Sequence, residues 1–275
     1  MMNALLMEGQ ALSARRRGIL DYVMEQGAVP VGELLKRFSL SRASINRDLL
    51  ALSAQGMVRR IGANITALPS ASEPGSVMYR ARQAVAQKQA IATLAASMIS
   101  PGDTVALDDS TTARFMATSL SGIAPLTVVT NSLGLGMRLG PCETVGLIGL
   151  GGHYSPTFDA FVGMVCEQSV VSMRIDMAFV SAAAIHGLTV YHQDEEIIRA
   201  KRALMAMADC RVLLADSRKF GISAMSRMGM LAEFDVVITD EGLDPDCARM
   251  LRDAGVMLKI APVSYPVPQA GLTVG

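Results

Sequence analysis

Seven apolar segments of strand length, spread over residues 104–262, restrict most strongly what this chain can fold into. Each is a near-continuous run of Val, Ile, Leu, Ala or Met, without the alternation that marks a strand with one face in water. Segments with the apolar spacing of a helix separate them. Strands buried on both faces need helices on both faces, so the pattern predicts an α/β fold with a mostly parallel, doubly wound sheet. The predicted strands are 104–108, 126–130, 145–150, 176–180, 211–216, 235–240 and 256–262.

The size and composition of the chain favour two domains in a soluble protein. A length of 275 residues exceeds one average domain, so a small module joined to the α/β domain is expected. The apolar runs are much shorter than the roughly 20 residues that span a bilayer. The N-terminal "MMNALLMEG" lacks the basic leader of a secretory signal. We therefore expect a cytoplasmic protein with no membrane partner.

The cysteines and histidines do not form a metal-binding pattern. The four cysteines, Cys142, Cys166, Cys210 and Cys247, include no C-x-x-C pair. The three histidines are not spaced as metal ligands either. We expect buried, reduced thiols, and neither a metal site nor a cofactor.

The charges are distributed unevenly although the net charge is zero. Residues 1–66 carry nine Lys/Arg and five Asp/Glu, a net charge of +4, and residues 67–275 carry sixteen and twenty, a net charge of −4. A basic head joined to a mildly acidic body predicts an anionic partner for the head alone.

The head has the pattern of three short helices followed by a hairpin. In the third helix Ile45, Leu49 and Leu52 recur at i, i+4 and i+7 and predict its buried face, and Ser41 is a favourable N-cap. The opposite face carries short or hydrogen-bonding side chains near the helix N-terminus, which a helix-turn-helix protein inserts into the major groove. The predicted DNA contacts are Ser41, Arg42, Ser44, Asn46 and Arg47, with Arg59 and Arg60 on the basic hairpin.

These side chains suit a DNA duplex. Arginine pairs with guanine and asparagine with adenine, whereas serine and a helix N-terminus suit phosphate. The pattern therefore predicts a winged helix-turn-helix domain that binds double-stranded DNA. The alternative is a three-helix packing module with a solvated basic face, and the ordered succession of helices, tight turn and basic hairpin favours DNA binding over it.

Polar residues follow the predicted strands of the body where each strand ends. Parallel doubly wound sheets bind ligands at this edge, where loops lead into helix N-termini that attract anions. Carboxylates suit sugar hydroxyls, and a lysine neutralises phosphate charge. N-capping of helices is the alternative for any single loop. The predicted ligand contacts are Asp108, Ser110, Thr111, Thr112, Thr130, Asn131, Ser132, Gly151, Gly152 and Lys219.

The head resembles the DeoR family of repressors. "LSRASINRDLLALSAQGMVRRIGA" is similar to the family pattern V-S-x-x-T-I-R-R-D-L followed by L-x-x-x-G-x-x-x-R. Asn46 stands where the first of two arginines is usual, which affects the expected operator sequence. The resemblance implies that Asp48 orients a neighbouring arginine.

The resemblance extends over residues 10–262. "LDDSTTA" is similar to L-D-x-G-T-T, "AKRALMAMA" to V-K-R-A-M and "LADSRKFG" to L-A-D-x-S-K-F-G. It implies an effector domain that is related in fold to ribose-5-phosphate isomerase and that usually binds a phosphorylated sugar or a related metabolite as its effector. Ser110 replaces the family glycine, so its side chain would narrow the pocket or add a hydroxyl contact.

The sequence thus predicts a repressor of a carbohydrate-metabolism operon, released from its operator by a phosphorylated sugar. The predicted domains are a DNA-binding head of residues 1–66, a Pro/Ser/Gly-rich linker of residues 67–79, and an effector-sensing and oligomerising domain of residues 80–275. A homo-oligomer, dimer or tetramer, is expected because one recognition helix reads few base pairs.

Two other functions are possible on the same pattern. A phosphosugar isomerase needs a carboxylate to shuttle a proton, and the segment that resembles the isomerase D-G-A-D-E pattern, residues 180–184, has lost every acid. We therefore expect no enzyme. The third alternative is a constitutive DNA binder whose body serves only for assembly.

Overall fold

The computed structural model describes residues 14–26, 28–54, 57–66 and 77–264. The chain divides into two compact units, Met1–Arg80 and Ala81–Gly275, called here the head and the sensor domain. The predicted linker lies mostly outside the described residues, and its last three residues belong to a helix, α4 (Val77–Arg82). None of the helices within the described ranges is both long and apolar enough to span a bilayer.

The head is a winged helix-turn-helix. Its elements in chain order are α1 Ala14–Gln26, β1 Ala28–Pro30, α2 Val31–Arg37, α3 Arg42–Ala54, β2 Arg59–Ile61 and β3 Asn64–Thr66. The strands form an antiparallel sheet in the order β1-β3-β2. The apolar faces of the three helices meet in one core, in which Ile19, Leu20, Val23 and Leu34 are buried together with the face predicted for the third helix, Ile45, Leu49 and Leu52.

The sensor domain is built on a seven-stranded sheet. Its helices are α5 Val85–Ala96, α6 Thr111–Leu120, α7 Leu133–Leu139, α8 Met164–Val170, α9 Glu195–Ala206 and α10 Pro245–Asp253. Its strands are β4 Thr104–Leu107, β5 Leu126–Thr130, β6 Val145–Gly149, β7 His153–Ser155, β8 Ala160–Val162, β9 Ile175–Ser181, β10 Ala184–His186, β11 Thr189–His192, β12 Ala208–Leu214, β13 Ser226–Met230, β14 Val236–Asp240 and β15 Leu258–Ala261.

All seven predicted strands pair in parallel in this sheet, in the order β15-β14-β12-β9-β4-β5-β6. Their side chains alternate between two apolar layers. In β4, for example, Val105 and Leu107 pack with α5, α6 and α7, whereas Ala106 faces the layer that contains α8 and α9. Burial on both faces explains the continuous apolar runs and confirms the predicted α/β fold. All seven carboxyl ends lie at one edge of the sheet.

The smaller antiparallel elements were not predicted. β7 and β8 form a hairpin, and β10, β11 and β13 form a three-stranded sheet. These strands are three to five residues long, and all except β8 mix polar with apolar residues, so the apolar pattern does not mark them. The four cysteines are free thiols, as predicted. Only Cys166 is buried; the other three are partly exposed, which corrects the prediction that all four are buried.

Candidate functional site

Helix α3 presents the predicted polar face toward solvent. Ser41, Arg42 and Arg47 are exposed, and Ser44 and Asn46 are half-buried. Ser41 caps the helix, since its Oγ accepts a hydrogen bond from the Ser44 amide at 3.2 Å. On the hairpin, Arg59 is half-buried and Arg60 is exposed.

Asp48 is a buried carboxylate on the inner side of the same helix. Arg15 donates to it from Nε at 2.7 Å and from Nη2 at 3.1 Å, and Arg16 donates from Nε at 2.9 Å. Burial alone would raise the pKa of Asp48, but the hydrogen bonds and charges of the two arginines outweigh it and lower the pKa. The carboxylate therefore stays ionised at neutral pH and fixes both arginines of α1 against α3.

Leu50 is an exposed residue of α3 that is not among the predicted DNA contacts. It lies three residues after Arg47 and its side chain is 71% exposed. Residues three apart on a helix lie on one face, so Leu50 adds an exposed apolar side chain beside Arg47. The spacing of three residues from Arg47 is the sequence signal that could have identified Leu50.

The loop between β4 and α6 is organised around Asp108. This carboxylate is fully buried, and its oxygens accept hydrogen bonds from the Ser110 amide at 2.9 Å and the Ser181 amide at 2.6 Å. Lys201 of α9, also buried, donates to Asp108 and lies 2.9 Å from Asp109 Oδ1. Burial lowers the pKa of Lys201, but the two carboxylates outweigh it and raise the pKa. The loop is therefore held by a charged triad of Asp108, Asp109 and Lys201.

The first turn of α6 carries the three hydroxyl residues of this loop. Ser110 is the N-cap, because its Oγ accepts from the Ala113 amide at 3.0 Å. Thr111 accepts a hydrogen bond from the buried Lys88 of α5 at 2.9 Å. Thr112 Oγ1 is buried and has no hydrogen-bond partner among the described residues. The hydroxyl that replaces the family glycine thus serves as a helix cap.

The next loop along the edge, between β5 and α7, is similar. Ser132 caps α7 and also accepts from Arg114 Nη2 at 3.2 Å, and Thr130 Oγ1 accepts from the Ser132 amide at 3.1 Å. Asn131 donates to the carbonyl of Phe161 in the β7–β8 hairpin at 3.0 Å. This hairpin therefore adjoins the loop.

Gly151 and Gly152 follow β6 and are exposed. Gly152 has a φ of +138°, and a Cβ there would lie 2.5 Å from the carbonyl oxygen of Val162. Glycine is therefore required at position 152 for the close approach of the hairpin, whereas a Cβ at Gly151 would meet no atom within 4 Å.

Lys219 follows β12 and reaches the end of β9. Its Nζ donates to Ser181 Oγ at 2.8 Å and to the carbonyl of Ala182. Asp216, one turn earlier, pairs with Arg218 at 2.9 Å. Because the Ser181 amide also binds Asp108, the strand ends of β4, β9 and β12 form one continuous polar cluster.

The predicted ligand residues lie on neighbouring strand ends, with β6, β5, β4, β9 and β12 in sheet order. Asp108, Ser110, Thr111, Thr112, Thr130, Asn131 and Ser132 are at most 6% exposed. Lys88, Lys201 and Arg114 belong to the same cluster but were missed, because lysine and arginine within helices usually lie at the surface. Their roles toward a ligand, like those of the predicted residues, remain predictions.

Comparison with known proteins agrees with this architecture. Residues 15–65 match the DeoR-like helix-turn-helix domain, and residues 83–241 match the DeoR C-terminal sensor domain. This chain belongs to the DeoR family. An uncharacterised HTH-type transcriptional regulator of Escherichia coli K12, YgbI, is 33% identical over 90% of this chain and 97% of its own length.

Two further relatives of this DeoR-family chain carry more specific names. The putative aga operon transcriptional repressor of Escherichia coli O157:H7 is 31% identical over 89% of this chain and 92% of its own length. The glycerol-3-phosphate regulon repressor of Escherichia coli K12 is 29% identical over 90% and 98%. These relatives are regulators, and they confirm the prediction that this DeoR-family chain is not an enzyme.

Among solved structures, ribose 5-phosphate isomerase A from Neisseria gonorrhoeae is 14% identical over 50% of this chain and 53% of its own, with a TM-score of 0.36. So low a similarity supports no conclusion about the activity of this DeoR-family chain.

Proposed function

We propose that this chain is a repressor of a carbohydrate-metabolism operon, and that a phosphorylated sugar bound in the sensor domain releases it from DNA. The observation that carries the proposal is the cluster of buried hydroxyls, amides and lysines at the carboxyl edge of the parallel sheet, in a chain that also has a winged helix-turn-helix head. Ligands bind at this edge in doubly wound sheets.

The exposed and half-buried polar residues of the head support DNA recognition. Arg47 and Asn46 lie where side chains of α3 would reach base edges, and Ser41, Arg42 and Ser44 lie at the helix N-terminus, which suits phosphate. We propose that Arg59 and Arg60 on the hairpin contact the DNA backbone. Asp48 keeps Arg15 and Arg16 in place and does not itself contact the acidic duplex.

The sensor domain supports an effector that is both anionic and rich in hydroxyls. Backbone amides and the positive end of a helix favour a phosphate at α6 and α7. The Thr112 hydroxyl and the Asn131 Oδ1 are buried without partners among the described residues. A buried polar group without a partner costs roughly 1–3 kcal/mol, so a ligand that completes these hydrogen bonds would gain stability.

The residues of the proposed effector site differ in role. Asp108 has both oxygens hydrogen-bonded within the protein, so we propose that it shapes the loop. The contacts to the effector then come from Ser110, Thr111, Thr112, Thr130, Asn131, Ser132, Gly151, Gly152 and Lys219.

The names of the relatives support the same proposal. One is a putative repressor of the aga operon, one a repressor of the glycerol-3-phosphate regulon and another a repressor of a lactose phosphotransferase system. We infer a similar class of target for this chain.

Release from DNA follows from differential binding. An effector that binds the DNA-competent arrangement less tightly than another arrangement shifts the population away from DNA. We propose a homo-oligomer, because two linked heads convert weak half-site binding into strong binding.

A thermal-shift screen against sugar phosphates tests the proposed ligand. We expect one phosphorylated sugar to raise the melting temperature of the full-length protein, because a ligand at 100 times its dissociation constant stabilises the folded state by about 2.7 kcal/mol. The unphosphorylated sugar is the matched control and should have little effect. Stabilisation by no phosphorylated compound would favour the constitutive DNA binder instead.

A further inference from the structure

One ion pair joins the β7–β8 hairpin to the helices beside it. Arg114 of α6 donates from Nη2 to Asp159 Oδ2 at 2.8 Å and to the Ser132 hydroxyl at 3.2 Å. The side chains of Arg114 and Asp159 are only 21% and 19% exposed. Charges so far removed from water attract each other more strongly than charges at the surface, because the surrounding dielectric constant is lower. The pair therefore connects the hairpin to α6 and to the cap of α7.

Asp159 is fixed on its other side as well. Tyr154 Oη donates to Asp159 Oδ1 at 2.7 Å, and partial burial together with this hydrogen bond raises the pKa of Tyr154. Asp159 has a φ of +54°, which is uncommon for a residue with a side chain but adopted more readily by aspartate. Gly134 of α7 leaves room for the pair, since a Cβ there would lie 2.7 Å from Asp159 Oδ2 and 2.9 Å from Arg114 Nη1. The contact is therefore built into the packing of α6, α7 and the hairpin.

The hairpin meets the loop that carries part of the proposed effector site. The Phe161 amide donates to the Asn131 carbonyl at 2.8 Å, and the Leu133 amide donates to the Asp159 carbonyl at 3.1 Å. Asn131 Oδ1 and Arg114 Nε are buried and have no hydrogen-bond partner within the described part of the chain. Buried polar groups without partners are unfavourable. This junction therefore has one acceptor and one charged donor that a ligand could satisfy.

The apolar contacts that hold the hairpin are few. Phe158, Ala160 and Val162 form a small cluster with Ile197 of α9, separate from the clusters on the two faces of the large sheet. Segments with few buried apolar contacts open locally at a lower free energy than the core of a domain. The polar contacts of Asp159 therefore strongly influence whether the hairpin is open or closed.

We propose that the β7–β8 hairpin is a strap across the effector site, and that the Arg114–Asp159 pair holds it closed over the bound ligand. This inference rests on the proposed function and adds the regulation of the same site. The effector enters and leaves while the strap is open, and a ligand that binds Asn131 Oδ1 and Arg114 Nε shifts the population toward the closed state. Asp159 is a positioning residue, which acts on the effector through the hairpin.

Hydrogen–deuterium exchange of the ligand-free, full-length protein tests the closure. Asp159→Asn removes the charge and keeps a side chain that tolerates the left-handed conformation. We expect peptides that contain Leu133 and Phe161 to exchange at least about tenfold faster in this variant, because hydrogen bonds between charged groups are the stronger ones. Arg114→Gln removes the other charge and should accelerate the same peptides, so it supplies the measurement if Asp159→Asn does not fold.

The controls show whether the effect is local. The Asp108 amide, which donates to the Phe179 carbonyl within the large sheet, should exchange as in wild type in every variant. Arg138→Gln removes the same charge from α7, where the exposed Arg138 donates to Thr118 at 2.9 Å. This variant should leave the exchange of the hairpin within about twofold of wild type, because exposed contacts contribute little.

The second measurement uses the sugar phosphate that gives the largest thermal shift. At saturation this compound should slow the exchange of the Leu133 and Phe161 peptides in wild type. Surface plasmon resonance should show that it dissociates about tenfold faster from Asp159→Asn than from wild type, with a smaller change in the association rate. A contact that only stabilises the fold would change neither the ligand-dependent exchange nor the dissociation rate.

The results distinguish this inference from the proposed function. If wild type binds the sugar phosphate but Asp159→Asn releases it within about twofold of the wild-type rate, the hairpin is not a strap, and the repressor proposal stands. Faster exchange without faster dissociation leads to the same conclusion, since the pair is then structural. If no phosphorylated compound binds wild type, the proposed function fails and the strap fails with it.

Discussion

Arg47→Ala is expected to weaken operator binding by roughly five- to 150-fold, because one bidentate contact to a base contributes about 1–3 kcal/mol of discrimination. Arg47 is exposed on α3, and its removal leaves the buried residues Ile45 and Leu49 untouched. The variant should therefore fold normally. The DNA is a duplex that the wild-type protein selects from a random-sequence pool, and the readout is fluorescence anisotropy at fixed salt, because salt alone changes affinity strongly.

Arg227→Ala is the matched control for this experiment, since it removes an exposed arginine from the sensor domain. It should bind the selected duplex as wild type does. Arg47→Ala should also lose discrimination at one base pair of the site, whereas loss of a phosphate contact weakens all sequences alike. An unchanged affinity and unchanged base preference in Arg47→Ala would remove this residue from the proposed interface.

Lys201→Ala is expected to have the largest effect on the stability of the sensor domain. It leaves Asp108 and Asp109 buried without their cation, and removal of one partner from a buried ion pair costs roughly 3–5 kcal/mol. For a domain of this size each kcal/mol lowers the melting temperature by about 2–4 °C. Arg199→Ala is the control on the same helix, since its side chain is 50% exposed and pairs with Glu167 at the surface.

Surface ion pairs contribute about 0–1 kcal/mol, so Arg199→Ala should change the melting temperature little. Differential scanning calorimetry of both variants at neutral pH measures the difference. Equal melting temperatures of the two variants would show that the triad does not hold the loop.

The sequence was sufficient for the seven parallel strands and for the winged head. A strand buried on both faces, such as β5, needs a continuous apolar run. Residues 126–130 form such a run, and a polar loop follows it directly. The third helix was equally clear, because Ile45, Leu49 and Leu52 follow the helical period and are buried as expected. Local pattern and tertiary environment agree in these elements.

The β7–β8 hairpin was not predictable in this way. Its short strands contain His153 and Tyr154, and its position depends on hydrogen bonds with Asn131 and on the contact at Gly152. Such pairings join residues distant in the chain, and neither partner alone indicates them.

The lysines of the site were missed for a related reason. Lys88 and Lys201 occur in helices, where lysine is usually solvent-exposed, and each is buried by polar partners from another part of the chain. The partner of Lys201 lies 93 residues away, at Asp108. Conversely, Ser110 was expected to alter the pocket, and its hydroxyl caps α6.

Release of DNA by a phosphorylated sugar tests the central claim most directly. The full-length protein is bound to its selected duplex and titrated with the sugar phosphate that gives the largest thermal shift, and in parallel with the unphosphorylated sugar. The proposed function predicts that anisotropy falls to the value of free duplex with the phosphorylated compound alone. A protein–DNA complex that persists at saturating concentrations of this compound would contradict the proposal that the sensor domain controls the head.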